Sequence, residues 1–210
     1  KPLKSLVSNS GLLKANGGFI KLSAATARSL ARGAVNVGSS GRIIAQSLRN
    51  KPGKVVIGSP TNTSVRIAGN IDVSVPKTYH SPSGKVFVQA RNVVYGGNIN
   101  ANGHSGGKIN VISKENIKLD GSILAKGNSK NGGNVIIMSE KAIKLTQKTL
   151  IDASGKNKGG EIRVIAKKTN KISGKLIANS NQLGGKVDIT AEKVEVGSVS
   201  IEAKGNLQGG

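Results

Sequence analysis

Glycine and lysine crowd together in the stretch IDASGKNKGGEIRV, residues 151–164, a composition that could cradle a phosphate group. A phosphate-binding loop needs Gly-x-x-x-x-Gly-Lys followed by Ser or Thr, because the hydroxyl binds the metal ion and the lysine reaches the terminal phosphates. None of the Gly-Lys pairs has that hydroxyl, since the residues that follow them are Val55, Val86, Ile109, Asn157, Leu176 and Val187. The sequence therefore predicts no nucleotide site in this stretch.

The two histidines, His80 and His104, are the next candidates for chemistry. They stand in KTYHSPSG and ANGHSGG, and neither has a partner at the spacing typical of a metal or haem ligand set. The simplest interpretation is that both are loop residues, so the sequence predicts no metal and no cofactor.

Carboxylates are needed for the acid and base chemistry of polysaccharide hydrolases and lyases. The ten acidic residues are scattered, and Asp72 is the only one before Glu115. Asp120, Asp152 and Asp188 each follow an apolar segment at a different position, and Asp152 is expected to bond its own turn. We therefore predict no catalytic residue and a protein that is not an enzyme.

Lysine and arginine total 32 against 10 acidic residues, a formal net charge of +22, which either favours anionic partners or serves solubility alone. Lys118, Lys144 and Lys171 occupy equivalent outward positions in successive repeats, so they are expected to form a ladder of ammonium groups that is either splayed into solvent, the favoured interpretation, or offset by an anion or glycan. The four Phe and Tyr residues are too few and too dispersed to predict a specific nucleic-acid partner.

Internal repeats position these residues. Paired glycines begin at residues 106, 132, 159, 184 and 209, so the pairs recur every 25–27 residues. Each repeat holds three short alternations of apolar and polar residues, which predict strands with one buried face. In the first repeat the inward residues are Ile109, Val111, Ile117, Leu119, Ile123 and Ala125.

Such strands cannot bury their apolar face alone, but stacked repeats enclose a continuous interior. We therefore predict an all-β fold, a right-handed parallel β-helix with three short strands per coil, coils of about 25–27 residues and about eight coils. An antiparallel sandwich also uses short strands, but it does not predict a period of a whole coil. The glycine pairs are expected at corners, where they allow a tight bend.

The N-terminal part follows the repeat more loosely. GGFIKLSAA at Gly17, PGKVVIGS at Pro52 and SGKVFVQA at Ser83 resemble the starts of coils, separated by longer excursions, TARSLARGA and VPKTYHSPSG. We therefore divide one continuous solenoid into irregular coils in residues 1–84 and regular coils in 85–210, and expect it to be a fragment of a longer chain. Asn170 falls in the inward column of Ile117 and Ile143, where its amide either caps a turn or ladders with a neighbour, or the strand forms a β-bulge, which is the favoured interpretation.

Several stretches resemble a known family: AATARSLARGAVNVGSSGRIIAQSL, GNIDVS, GGKINV and IDASGKNKGGEIRV are similar to the repeat shaft of filamentous haemagglutinin-like exoproteins. These are large adhesins of Gram-negative two-partner secretion systems. Their secretion domain carries Asn-Pro-Asn motifs that this sequence lacks, so the resemblance places the chain downstream of that domain. It implies an outer-membrane transporter as partner and folding at the cell surface.

We therefore expect a non-catalytic structural and binding segment of a secreted or surface-exposed adhesin, a virulence factor whose partners include anionic glycans of host or bacterial surfaces. Two alternatives stay open: an enzyme acting on acidic polysaccharide, and the shaft of a contact-dependent toxin or haemolysin. No run of 18 apolar residues occurs, so no transmembrane helix is expected.

Overall fold

The computed structural model describes residues 6–24, 35–58, 64–76 and 78–207. The regular elements in these ranges are all β-strands. Those of the N-terminal half are β1 Val7–Asn9, β2 Leu12–Lys14, β3 Phe19–Leu22, β4 Val35–Val37, β5 Arg42–Ile44, β6 Lys54–Gly58, β7 Ser64–Ile67, β8 Asn70–Asp72, β9 Lys85–Tyr95 and β10 Asn98–Asn100.

The strands of the C-terminal half follow at closer intervals. They are β11 Lys108–Leu119, β12 Ser122–Leu124, β13 Asn134–Ser139, β14 Ala142–Leu145, β15 Leu150–Asp152, β16 Glu161–Ala166, β17 Thr169–Ile177, β18 Lys186–Thr190 and β19 Lys193–Glu202. Every named strand pairs in parallel with its equivalent one coil away. The predicted parallel β-solenoid is confirmed, with about 7 turns rather than the eight expected.

The strands stack on three faces. Face A contains β3, β6, the first parts of β9 and β11, β13, β16 and β18. Face B contains β1, β4, β7, the second parts of β9 and β11, β14, and the first parts of β17 and β19. Face C contains β2, β5, β8, β10, β12, β15 and the second parts of β17 and β19.

The inward side chains of all three faces meet in one apolar core. The six inward residues predicted for the first regular repeat are all buried, with at most 2% exposure, and they belong to a continuous cluster of Ile, Val, Leu and Ala. Burying one such Ile or Leu stabilises the fold by about 1.5–3 kcal/mol. Tyr95 is the largest side chain inside, and its hydroxyl donates to the Ser122 carbonyl oxygen at 2.7 Å. Burial raises the pKa of Tyr95 well above its ordinary value.

The N-terminal coil starts lie in register with the regular ones. Phe19 pairs with Lys54, Lys54 with Lys85, and Lys85 with Lys108, so the segments predicted at Gly17, Pro52 and Ser83 do begin coils. Longer connections between these starts use up residues, which is why the chain makes fewer turns than its length divided by the repeat suggests. TARSLARGA lies outside the described residues.

The β-bulge expected at Asn170 is wrong. Asn170 pairs in unbroken register with Ile143 on one side and Val194 on the other, and it is fully buried. Its side-chain NH₂ group donates to the carbonyl oxygens of Val164 at 3.0 Å and Thr190 at 2.9 Å, so the core satisfies the donor half of the amide. The amide oxygen is buried and has no hydrogen-bond partner among the described residues. The irregularity lies slightly later, between Ile172 and Gly174.

Glycines occupy the corner between faces C and A because neighbouring coils approach closely there. A Cβ on Gly132 would collide with the carbonyl oxygen of Ala153, and one on Gly160 with that of Gly133. Among the described corner pairs, from Gly106–Gly107 to Gly184–Gly185, none has a φ in the left-handed region. The glycines are required by the backbone of the next coil, and not by the conformational freedom that a tight bend would need.

Candidate anion-binding surface

Lys118, Lys144 and Lys171 form one outward column on face B. Lys118 pairs with Lys144 and Lys144 with Lys171, as the repeat alignment predicts, and all three side chains are exposed. The strand alternation that buries Ile117, Ile143 and Leu119 forces these neighbours outward. Adjacent coils lie about 4.8 Å apart, so the column concentrates positive charge along the solenoid axis.

A groove runs beside this column. It has a volume of about 650 Å³ and is lined by the three lysines, by Val94 and Glu195 at the two ends of the same column, and by the preceding outward positions, which are small or polar. Among them, Asn116 donates through its side-chain amide to the Asn92 amide oxygen at 3.1 Å. Ala142 and Thr169 continue the same row, so the floor is low beside the long lysine side chains. The arrangement suits an extended ligand that lies along the axis.

The column ends at a carboxylate. Lys171 forms an ion pair with Glu195 of the next coil at 2.9 Å, and Lys193 approaches the same carboxylate at 3.0 Å. Hydrogen bonds from Lys171 and Lys193 lower the pKa of Glu195. Among the described residues, Lys118 and Lys144 have no carboxylate within 4.0 Å. Two of the three lysines are therefore available to an external anion.

A second lysine column lies on face A, and the sequence interpretation missed it. Lys54, Lys85 and Lys108 pair in register at the first position of successive coils, and all are exposed. Within the described residues none of them has an ion-pair partner. The Lys54 ammonium lies 5.3 Å from the centre of the Phe19 ring, a cation–π contact. The recurring Gly-Lys pair is the sequence signal that could have predicted this column, because each of the three lysines follows a glycine.

Beside this second column face A carries apolar side chains, interrupted by Asn110. Val56 pairs with Phe87 two residues after the lysines, and Ile136 lies in the same outward row, all of them half-buried. Met138 in the adjoining row is 38% exposed. The basic edge and the apolar side chains beside it give face A an amphipathic character.

A carboxylate network stands at the corner between faces A and B. Glu115 accepts hydrogen bonds from Arg91 at 3.0 Å and Lys141 at 2.9 Å. These two cations, with smaller help from Asn92, lower the pKa of Glu115 to about 2. Glu115 thus joins three successive coils, because Arg91 and Lys141 belong to the strands or turns on either side of it.

The three aspartates considered for acid and base chemistry lie apart. Asp188 is on face A and Asp152 on face C, while Asp120 follows face B and accepts a hydrogen bond from the Thr146 hydroxyl. Asp152 accepts from the Ser154 backbone N–H at 2.9 Å, so the expected bond to its own turn is confirmed. In the described part of the chain no group of three or more His, Cys, Asp or Glu side chains is arranged to hold a metal ion.

The glycine-rich stretch of residues 151–164 lies at the corner between faces C and A. Its N–H groups are used within the solenoid: Gly160 donates to the Ala153 carbonyl oxygen at 2.7 Å and Gly159 to that of Leu183 at 2.9 Å. Donors already paired with backbone oxygens cannot cradle a phosphate. No helix long and apolar enough to cross a membrane occurs among the described residues.

Comparison with known proteins adds no relative. No protein-family model matches the chain, and neither curated proteins nor solved structures give a significant match.

Proposed function

We propose that this chain is a non-catalytic structural and binding segment of a large bacterial adhesin of the filamentous haemagglutinin type, exposed at the cell surface or secreted. A stacked solenoid supports this proposal because it repeats one side chain at one place in successive coils. The observation that carries it is the exposed column of Lys118, Lys144 and Lys171 beside a groove.

The proposed ligand is a linear anionic glycan that lies along the column. Like charges in register repel one another, so Lys118 and Lys144 gain from an anion that neutralises them. Each lysine near an anionic surface contributes about 1 kcal/mol, so affinity grows when one ligand spans several coils. Stacking of nucleic-acid bases is less suited to this surface, since Tyr95 is buried and only Phe19, Tyr79 and Phe87 remain to support it.

A set of heparin and lipopolysaccharide titrations tests this binding. The variant K118Q/K144Q/K171Q should bind heparin more weakly than the wild type, and the wild-type affinity should fall as salt is raised because the contacts are screened. The matched control is K118R/K144R/K171R, which keeps the charge and should bind as the wild type does. Equal affinity of the Gln variant and the wild type would show that the column is only a solvated face.

Export through an outer-membrane transporter of the two-partner type is the second part of the proposal. It is supported by the shaft-like motifs and by the lack of cysteine, which suits passage of an unfolded chain through a pore. The test is to read the full-length gene with its neighbours and to express the two together. A transporter gene beside it and release of the protein only in its presence are expected, and release without any transporter would contradict the route.

A further inference from the structure

The only two histidines of the chain lie side by side. The rings of His80 and His104 have centroids 5.5 Å apart and planes inclined by 70°. Sequence spacing gave no hint of this contact, because the two residues belong to successive coils and meet only when the coils stack.

Backbone hydrogen bonds on both sides of His80 attach its segment to the corner that carries His104. The segment that carries His80 is fastened to the corner that carries His104 by two backbone hydrogen bonds, Val75 N–H to the Asn102 carbonyl oxygen at 2.9 Å and Ser83 N–H to that of Ser105 at 3.2 Å.

The backbone next to each ring is fixed as well. The His104 carbonyl oxygen accepts from the Lys130 N–H at 2.9 Å and from the Ser129 N–H at 3.2 Å. Ser81, next to His80, is buried and its hydroxyl donates to the Arg49 carbonyl oxygen. Backbone hydrogen bonds at Val75, Ser83 and His104 thus bring the two imidazoles together, which lowers the entropic cost of binding a ligand between them.

We propose that His80 and His104 form a site for a borderline divalent transition-metal ion, with Zn²⁺ as the representative and water in the remaining positions. With Zn–N bonds of about 2.0–2.1 Å, two imidazoles on one tetrahedral zinc have ring centroids about 5.2 Å apart, close to the 5.5 Å found here. Imidazole nitrogen suits zinc, copper and nickel, whereas magnesium and calcium prefer oxygen ligands.

Two histidines are the whole protein contribution to this site, because the described residues include no set of three or more potential ligands. The net charge of +22 repels a cation, so the affinity is modest and should strengthen as salt screens that repulsion. This dependence is opposite to that of glycan binding, which weakens in salt. The metal would clip the segment between β8 and β9 to the corner after β10.

Imidazole NMR on untagged protein tests the site, because only two histidines contribute signals. Titration with ZnCl₂ should shift both histidines together and saturate at one zinc per chain, whereas MgCl₂ should leave both unchanged. In H80Q the His104 signal should no longer respond over the same zinc range, and H104Q should abolish the response of His80. A response of one histidine alone, or a remaining histidine that titrates as in the wild type, would overturn the proposal.

Thermal unfolding gives a second readout. Zinc in tenfold excess over its Kd should raise the Tm of the wild type by about 3 °C and leave H80Q and H104Q unchanged. The heparin variant K118Q/K144Q/K171Q should keep the full zinc response, since its changes lie on face B. Failure of glycan binding and failure of zinc binding are thus separable. Equal Tm rises in wild type and histidine variants would contradict a shared site.

Discussion

The coils before and after Glu115 share one fold but differ in how many acidic residues accompany their basic residues. Sixteen basic residues and one acidic residue precede Glu115, whereas sixteen basic and nine acidic residues stand from Glu115 onward. Every ion pair in the described residues uses a carboxylate from the second region. A parallel stack brings like residues into register, so the column of Lys54, Lys85 and Lys108 in the first region stays uncompensated and is free for an external anion.

The corners between faces C and A also differ between the earlier and the later coils, in this case in how closely they are packed. Gly106, Gly132 and Gly159 recur at one corner position in the later coils, whereas Ser83 occupies that position in an earlier coil. The Ser83 hydroxyl donates to the Val73 carbonyl oxygen at 2.9 Å, so this coil has room for a side chain there. The later coils are packed more closely at this corner and depend on glycine.

The largest expected effect comes from giving a later corner the residue of an earlier one. Gly132→Ser should destabilise the protein by about 3 kcal/mol, because its Cβ would collide with the backbone of Ala153 and Gly160. Gly96→Ser is the matched control, since a Cβ there meets nothing within 4 Å, and its cost should stay below about 1 kcal/mol. Urea unfolding measures both. Equal midpoints would mean that the corners do not differ in packing.

The second effect compares the two lysine columns. The variant K54Q/K85Q/K108Q should lose about 3 kcal/mol of heparin binding at low salt, at about 1 kcal/mol per unpaired lysine. The variant K118Q/K144Q/K171Q should lose about 2 kcal/mol, because Lys171 is already paired with Glu195. Isothermal titration at one salt concentration measures the difference. A larger loss for the face B variant would reverse the comparison.

A smaller effect is expected from releasing the paired lysine. Glu195→Gln frees Lys171 and Lys193 and should strengthen heparin binding about fivefold. Glu140→Gln is the control, because it removes the same charge from an exposed residue for which the described structure shows no ion pair. If both variants bind equally well, net charge and not the column determines affinity.

The smallest expected effect is the loss of stability at low pH that comes from protonation of Glu115. The folded-state pKa of Glu115, about 2, lies below its ordinary value of 4.5. Its contribution to stability is therefore present above about pH 4.5 and is lost as pH falls toward 2. Glu115→Gln lacks this contribution, so the Tm difference from the wild type should shrink between pH 6 and pH 2.5 in thermal scans. A difference that stays constant over this range would contradict the pairing with Arg91 and Lys141.

Much of the fold could be predicted from the repeat. The alternation of residues such as Ile109 and Val111 fixes which side chains face inward, and the glycine pairs fix where a coil begins. The same two facts place Lys118 above Lys144 and Lys144 above Lys171. These predictions succeed because a parallel stack turns sequence period directly into spatial neighbours.

The predictions that were wrong or missing depend on contacts that the sequence repeat does not describe. Asn170 is buried because the carbonyl oxygens of Val164 and Thr190 accept its amide, which residue type alone cannot reveal. His80 meets His104 through an irregular connection between β8 and β9. The number of turns was overestimated for a related reason, since the earlier coils contain longer connections of this kind.

The most direct test of the central claim, that in-register lysines bind a linear anionic glycan along the solenoid axis, is the affinity for size-fractionated heparin oligosaccharides. Three lysines in successive coils span about 10 Å, so affinity should rise steeply from the disaccharide to chains that cover this distance. The rise should be lost when both lysine columns carry Gln. Equal Kd values for short and long chains, or a rise that survives in that variant, would contradict the account.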